Sequence, residues 1–299
     1  MKRQIKLTAV ILICATSLIF AQESISLRER ITQIIEGKDA IVGIAVEGYD
    51  GKDTLSINGS KRFPMQSVFK FHIALAVLNE VDKGELNLNQ KITITKEDLI
   101  PDLYSPIRDK YPNGTTMKLS EILTYTVGES DNVGCDILLK LIGGPQVVEK
   151  YLHSKNIDDV AIIYNEKDQQ SNWENQFQNW TTPHSANQTL IKYYENKNNL
   201  LSKRSYDFLW KTMEGSKTGK KSIRGELPKN SVVAHKTGHS GKNKNGITAA
   251  VNDIRIVFLP NGKYFYLTVF VSNSKEDEEI NQKIIAEVSR ASWDYFIKK

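Results

Sequence analysis

The readable β-strands of this 299-residue chain gather at its two ends, and the stretch between them reads as helical. Near the start, Ala40-Ile-Val-Gly-Ile-Ala-Val-Glu47 and Thr54-Leu-Ser-Ile-Asn58 are apolar runs of strand length. The Asp-Gly pair in Tyr49-Asp-Gly-Lys52 suits a tight hairpin between them. Near the end come Ser231 to Thr237, Ile247 to Phe258 and Tyr264 to Ser272, the last two joined by the turn Pro260-Asn-Gly-Lys263. Links this short imply antiparallel pairing. Two early and three late strands make one five-stranded antiparallel sheet only if the ends of the chain meet. The sequence therefore predicts an α/β (α+β) fold, a discontinuous sheet domain with an all-helical domain inserted. The expected boundaries are 22–63 with 215–299 for the sheet domain and 64–214 for the helical one.

The sheet is expected to be flanked by helices. Glu23 to Gly37 carries Leu27, Ile31 and Ile34-Ile35 at helical spacing, and Gly37 suits a stop. Asp277 to Ile297 places Ile280, Ile284-Ile285, Val288, Trp293 and Phe296 on one side. In the middle, helices are predicted over 67–82, 118–126, 137–141, 146–153, from 183 onward and over 202–213. Residues 164–182 are rich in Asn, Gln, Asp and Trp and show no period. A loop that long inside a compact domain is usually functional.

The N-terminus has a different character. Lys2, Arg3 and Lys6 precede the apolar run Leu7 to Phe20, followed by Ala21-Gln22-Glu23, the pattern of a secretory signal over residues 1–21. The run is short for a bilayer span. The segment holds three basic and no acidic residues, so the formal charge of +5 becomes +2 once it is removed. No basic stripe remains, and nucleic-acid binding has no support. The remaining chain keeps one cysteine, Cys135, so it has no internal disulfide and depends on its core. Cys135, in an apolar run, reads as a buried small hydrophobe.

Four local signals carry chemistry. Ser67-Val-Phe-Lys70 stands where a loop ending at Pro64 turns into an apolar helix. A serine in the first turn of a helix meets unpaired N–H groups at the positive end of the dipole. Lys70 lies one turn on, and an amine beside a hydroxyl is one way to activate a serine. Alone, the pair would read as a helix cap followed by a solvated lysine. It is joined by Ser130-Asp131-Asn132 at a polar corner, by Lys236-Thr237-Gly238 at a strand end, and by Glu166 in the irregular loop.

Ser-x-x-Lys, Ser-Asp-Asn and Lys-Thr-Gly in this order are shared by class A β-lactamases and penicillin-binding proteins. The chain resembles a class A β-lactamase from about residue 24 to 299. Phe63 to Lys70, Asn179-Trp180-Thr-Thr-Pro183 and His235 to Gly238 are most similar to the extended-spectrum PER/VEB/CfxA-type branch. The resemblance implies a β-lactamase/transpeptidase-like fold with an Ω-loop over 161–182. It implies hydrolysis of penicillins and cephalosporins through a serine acyl-enzyme. Ser67 would be the nucleophile, and Lys70 would take its proton if neutral or ease the alkoxide if charged. Glu166 also stands as a candidate acylation base. Backbone N–H groups of Ser67 and His239 would hold the oxyanion. Ser130, assisted by Lys236, would protonate the departing nitrogen. Asn132 would bind the drug's amide side chain, Lys236 and Thr237 would bind its carboxylate, Gly238 would also belong to the substrate site, and Tyr104 would stack at the mouth.

Glu166 separates a hydrolase from a penicillin-binding DD-peptidase or a non-hydrolysing β-lactam sensor, because a carboxylate held near the ester can activate water. Three positions depart from the family pattern. Gln170 stands where Asn is common, His239 where a small or hydroxyl residue is common, and Asn245 where a carboxylate-clamping Arg is common. Arg224, Lys242 and Lys244 are the candidate substitutes. No metal or cofactor is expected. The expected partner is a small-molecule β-lactam, bound by a monomer in the bacterial periplasm with no stable membrane association after signal cleavage.

Overall fold

The structure is a computed structural model that describes residues 25–219 and 226–299. The signal segment 1–21 and Arg224 lie outside the described residues. In chain order the elements are α1 (Leu27–Ile35), β1 (Ile41–Gly48), β2 (Thr54–Ile57), β3 (Phe63–Pro64), α2 (Phe69–Asp82), β4 (Lys91–Ile94), α3 (Pro106–Lys110) and β5 (Thr115–Lys118). Then follow α4 (Leu119–Gly128), α5 (Asn132–Ile142), α6 (Pro145–His153), β6 (Val160–Ala161), α7 (Glu166–Ser171), β7 (Trp180–Thr181), α8 (Pro183–Glu195) and α9 (Lys203–Glu214). The chain closes with β8 (Val232–His239), β9 (Thr248–Phe258), β10 (Tyr264–Ser274) and α10 (Glu278–Phe296).

The five long strands form one sheet in the order β2-β1-β10-β9-β8, every neighbour antiparallel. The ends of the chain meet where Ile41 pairs with Ser272 and Gly48 with Phe265. β9 and β10 are buried almost throughout, because helices cover both faces of the sheet. On one face, Ile31 of α1 and Ile284, Ile285, Val288 and Trp293 of α10 pack against Val46, Val257 and Leu267. On the other, Ala234, Ile254, Tyr266 and Phe270 join the core that α2, α4, α5 and α8 build. β8 is an edge strand whose outer side faces the loops that follow α4 and α9.

α2 is the axis of the helical part. Residues 69–78 are buried without a break, so the helix is apolar all round and carries Lys70 into the interior. Its start lies slightly later than the helix expected from Ser67 onward. Gln66–Val68 form a 3-10 turn, α2 begins at Phe69, and no side chain caps it. Ser67 thus leaves its hydroxyl free for another partner. The other helix starts follow ordinary chemistry. Asp131 accepts from Gly134 N at 2.7 Å to open α5, Asn165 from Asp168 N at 2.8 Å to open α7, and Thr182 from Ser185 N at 3.1 Å to open α8.

Two small sheets escaped the sequence reading. β4 pairs with β5, and β3-β7-β6 clamps the two ends of the irregular loop against the chain entering the Ser67 turn. The loop itself contains the single-turn-and-a-half helix α7 and a 3-10 turn at Glu174–Phe177. Cys135 is fully buried, and burial pushes its thiol well above the ordinary range. Among the described residues, no helix is long and apolar enough to cross a membrane.

Candidate active site

Three segments converge on Ser67. Lys70 Nζ lies 2.6 Å from Ser67 Oγ, one helical turn away. The same ammonium nitrogen donates to Asn132 Oδ1 at 2.8 Å and contacts Glu166 Oε1. Glu166 Oε1 is 3.5 Å from Ser67 Oγ. Lys70 has no exposed surface and Glu166 is 2 % exposed, so the pair is desolvated and each charge is compensated by the other. Lys236, also without exposed surface, donates to Ser130 Oγ and to the Thr237 carbonyl, each at 2.9 Å. Burial, then the charge of Lys70, push the Lys236 ammonium well below its ordinary pKa.

These groups open onto a cleft of about 610 Å³ lined by Ser67, Tyr104, Ser130, Asn132, Glu166, Gln170, Thr237, Gly238 and His239. Lys70 and Lys236 lie beneath its floor. Tyr104 stands at the mouth, 57 % exposed, and its carbonyl accepts from Asn132 N at 3.1 Å. Ser130 adopts φ +62°, which turns its hydroxyl out of the corner between α4 and α5 and onto Lys236. Gly238 sits where β8 passes the Ser67 turn. A Cβ there would fall 2.4 Å from Met65 O and 3.3 Å from Ser67 N. Only a glycine lets the strand approach Ser67 this closely.

Gln170, of uncertain aim in the sequence, donates to Glu166 Oε2 at 2.9 Å. His239 turns its ring back on its own loop, where Nδ1 accepts from Gly241 N at 3.2 Å. His235 faces away from the cleft, 3.3 Å from Asp253 and next to the buried Asp253–Arg255 pair. Burial lowers its pKa. No cluster able to hold a metal occurs among the described residues. Of the candidates for the missing arginine, the two that are described, Lys242 and Lys244, do not line the cleft. Lys242 pairs with Asp277 at 3.1 Å, and Lys244 and Asn245 are exposed residues absent from the cleft wall. Thr218 lines that side instead, with Thr237 Oγ1 donating to its hydroxyl at 2.8 Å.

Sequence reasoning missed the residues that hold Glu166. Asp136 of α5 accepts from the backbone N–H of Glu166 at 2.7 Å and of Lys167 at 3.1 Å. Burial, and the nearby Glu166 charge, raise its pKa to about 7. Asn179 accepts from Ile163 N and Tyr164 N and donates to Tyr164 O and Gln169 Oε1, all between 2.7 and 2.9 Å. Gln66, at φ +46° beside the nucleophile, donates to Gln176 at 3.0 Å and accepts from Gln169 at 3.3 Å. An Asp one turn inside an apolar helix, and a left-handed Gln before the serine, carry no signal at sequence level.

The chain matches the model of the β-lactamase enzyme family over residues 26–296. It is 52% identical over 270 residues to β-lactamase VEB-1 of Pseudomonas aeruginosa, covering 90% of each chain. It is 38% identical over 299 residues to the extended-spectrum β-lactamase PER-1 of Pseudomonas aeruginosa, covering 100% of this chain and 96% of that one. A crystallised β-lactamase from Chitinophaga pinensis superimposes with a TM-score of 0.88 at 46% identity, over 90% of this chain and 99% of that one. Sequence, fold and the convergence on Ser67 agree: the chain belongs to the β-lactamase enzyme family, on its class A branch with the extended-spectrum enzymes.

Proposed function

We propose that Ser67 opens the β-lactam amide by nucleophilic attack and that Glu166 drives hydrolysis of the resulting ester. The protein is a serine β-lactamase and confers resistance by destroying the antibiotic. The observation that carries the residue assignment is the contact of one lysine with both Ser67 Oγ and the Glu166 carboxylate. Lys70 sits within proton-transfer distance of the serine: it takes the serine proton only after passing its own to Glu166, and as an ammonium it instead eases the alkoxide while Glu166, 3.5 Å from Ser67 Oγ, takes the proton. The attacking oxygen is thus relieved of its proton inside a dry site, where the charge it develops interacts most strongly. Ser67 N and the end of β8 are the donors for the oxyanion. Ser130, charged from Lys236, returns a proton to the departing nitrogen. Asn132, Thr237, Gly238 and Tyr104 hold the substrate around these groups, and Gln170 steadies Glu166.

Deacylation needs a base within one water of the ester carbon. Glu166 Oε1, 3.5 Å from Ser67 Oγ, meets that requirement. It also disfavours a penicillin-binding DD-peptidase or a sensor, in which the ester persists. The cleft then lies between a sheet domain of 22–63 with 215–299 and a helical domain of 64–214 that includes the Ω-loop 161–182. The reading extends to a monomer exported to the periplasm after cleavage of residues 1–21, which the charged and apolar N-terminal pattern supports.

The test is turnover of a chromogenic cephalosporin by the purified protein. Many turnovers per molecule are expected. A stable one-to-one adduct without turnover contradicts the assignment and returns the penicillin-binding reading.

A further inference from the structure

The cleft does not end at the reacting groups. It continues past the turn between β8 and β9, where Ser240 and Gly241 line it, to the first turn of α10, where Glu278 and Gln282 form its far wall. Gly241 leaves this stretch open, since a Cβ on it would meet nothing within 4 Å. Among the described residues, no lysine or arginine lines the cleft, and two carboxylates do, Glu166 and Glu278. They differ in how they are held. Glu166 is occupied by Lys70, Gln170 and Ser67. Glu278 accepts one neutral hydrogen bond, from Gln282 Nε2 at 2.7 Å. Lys242 is taken by Asp277, the residue before Glu278, at 3.1 Å. Glu279, the other acid of this turn, is exposed and adds to the same sign of charge.

The geometry points to Glu278 as a specificity-determining residue that selects β-lactams whose acyl side chain carries a cationic or N–H-rich terminus and selects against anionic ones. This rests on the assignment of the cleft as the β-lactam site. A substrate acylated on Ser67 must direct its longer substituent along the open part of the cleft, because α2 and the buried lysines close the floor. A substituent running past Gly241 arrives at a carboxylate that no cation among the described residues balances. A terminal ammonium or amino-heterocycle gains a charge-assisted hydrogen bond there, and a terminal carboxylate meets repulsion. Glu278 is solvent-exposed, so the discrimination is modest and screened by salt.

The experiment compares two cephalosporins that share one nucleus, one with an acyl side chain ending in a primary ammonium and one in a carboxylate. kcat/KM for each is measured on the wild type, Glu278→Gln and Glu278→Lys, at low and high ionic strength. The ratio of cationic to anionic substrate is expected to fall about threefold in Glu278→Gln and about tenfold in Glu278→Lys, in the range of single exposed charge pairs. The change is expected in KM and is expected to shrink at high salt. A ratio constant within about twofold across the three proteins overturns the inference, as does an equal loss for both substrates, which marks a structural role. Failure of the wild type to turn over either compound overturns the hydrolase assignment, and this inference with it.

Discussion

The Asp136 carboxylate accepts the backbone N–H groups of both Glu166 and Lys167, at 2.7 and 3.1 Å. A side chain on α5 thereby caps the first turn of α7 and fixes the backbone that carries the proposed general base. Two N–H donors favour its ionised form, while burial and the neighbouring Glu166 charge oppose ionisation more strongly and leave its pKa at about 7. A carboxyl whose folded pKa lies above its unfolded value contributes stability at low pH that is lost as pH rises through the folded value. The window runs from about 4 to about 7.

Asp136→Asn is therefore expected to remove a component of stability that declines between pH 4 and 7 in the wild type. Tm measured across that window checks it, and parallel Tm curves for the two proteins would contradict the assignment. Asp136→Ala leaves two backbone donors unpaired and is expected to destabilise by about 2–4 kcal/mol. It is expected to slow deacylation more than acylation, read by pre-steady-state kinetics.

Much of this architecture was legible in the sequence, and the part that was not has a physical reason. The strands over 40–47, 247–258 and 264–272 announce themselves because β-branched and aromatic residues run between turn signals. Ser67-Val-Phe-Lys70, Ser130-Asp-Asn132 and Lys236-Thr-Gly238 stand out because each is a short word of neighbouring residues. Strands of two residues, such as Phe63–Pro64 and Trp180–Thr181, are too short for any period. Asp136 and Asn179 act by hydrogen bonds to backbone 15 to 31 residues away, and Gln66 by hydrogen bonds to side chains 103 and 110 residues away. Nothing local in the chain marks such a partner. The same limit explains the start of α2, where a 3-10 turn over Gln66–Val68 precedes the helix expected to begin near Ser67.

Asn179 holds the loop at both ends through four hydrogen bonds of its side chain. Asn179→Ala leaves the N–H groups of Ile163 and Tyr164 without partners, at about 1–3 kcal/mol for each buried group left unsatisfied. A fall in Tm is expected, with faster proteolysis confined to 161–182. Limited proteolysis followed by peptide mapping reads this directly, and cleavage spread evenly over the chain would contradict it.

Gly238 tests the approach of β8 to the nucleophile. Gly238→Ala places a methyl group 2.4 Å from the Met65 carbonyl, a contact that backbone must move to relieve. Overpacking of this kind costs about 1–3 kcal/mol. Because the displaced backbone includes Ser67 N, kcat/KM is expected to fall by about tenfold or more, the factor that a loss of 1.4 kcal/mol of transition-state binding represents. Unchanged kinetics in a folded Gly238→Ala protein would show that the oxyanion donors lie elsewhere.

The division of labour between Ser67 and Glu166 is tested most directly by intact-mass spectrometry of the protein mixed with a penicillin. Glu166→Ala is expected to gain the full mass of one substrate molecule and to keep it for minutes to hours. Ser67→Ala is expected to gain none, and the wild type to return to its free mass once substrate is consumed. Turnover of Glu166→Ala at the wild-type rate, or an adduct on Ser67→Ala, would contradict it.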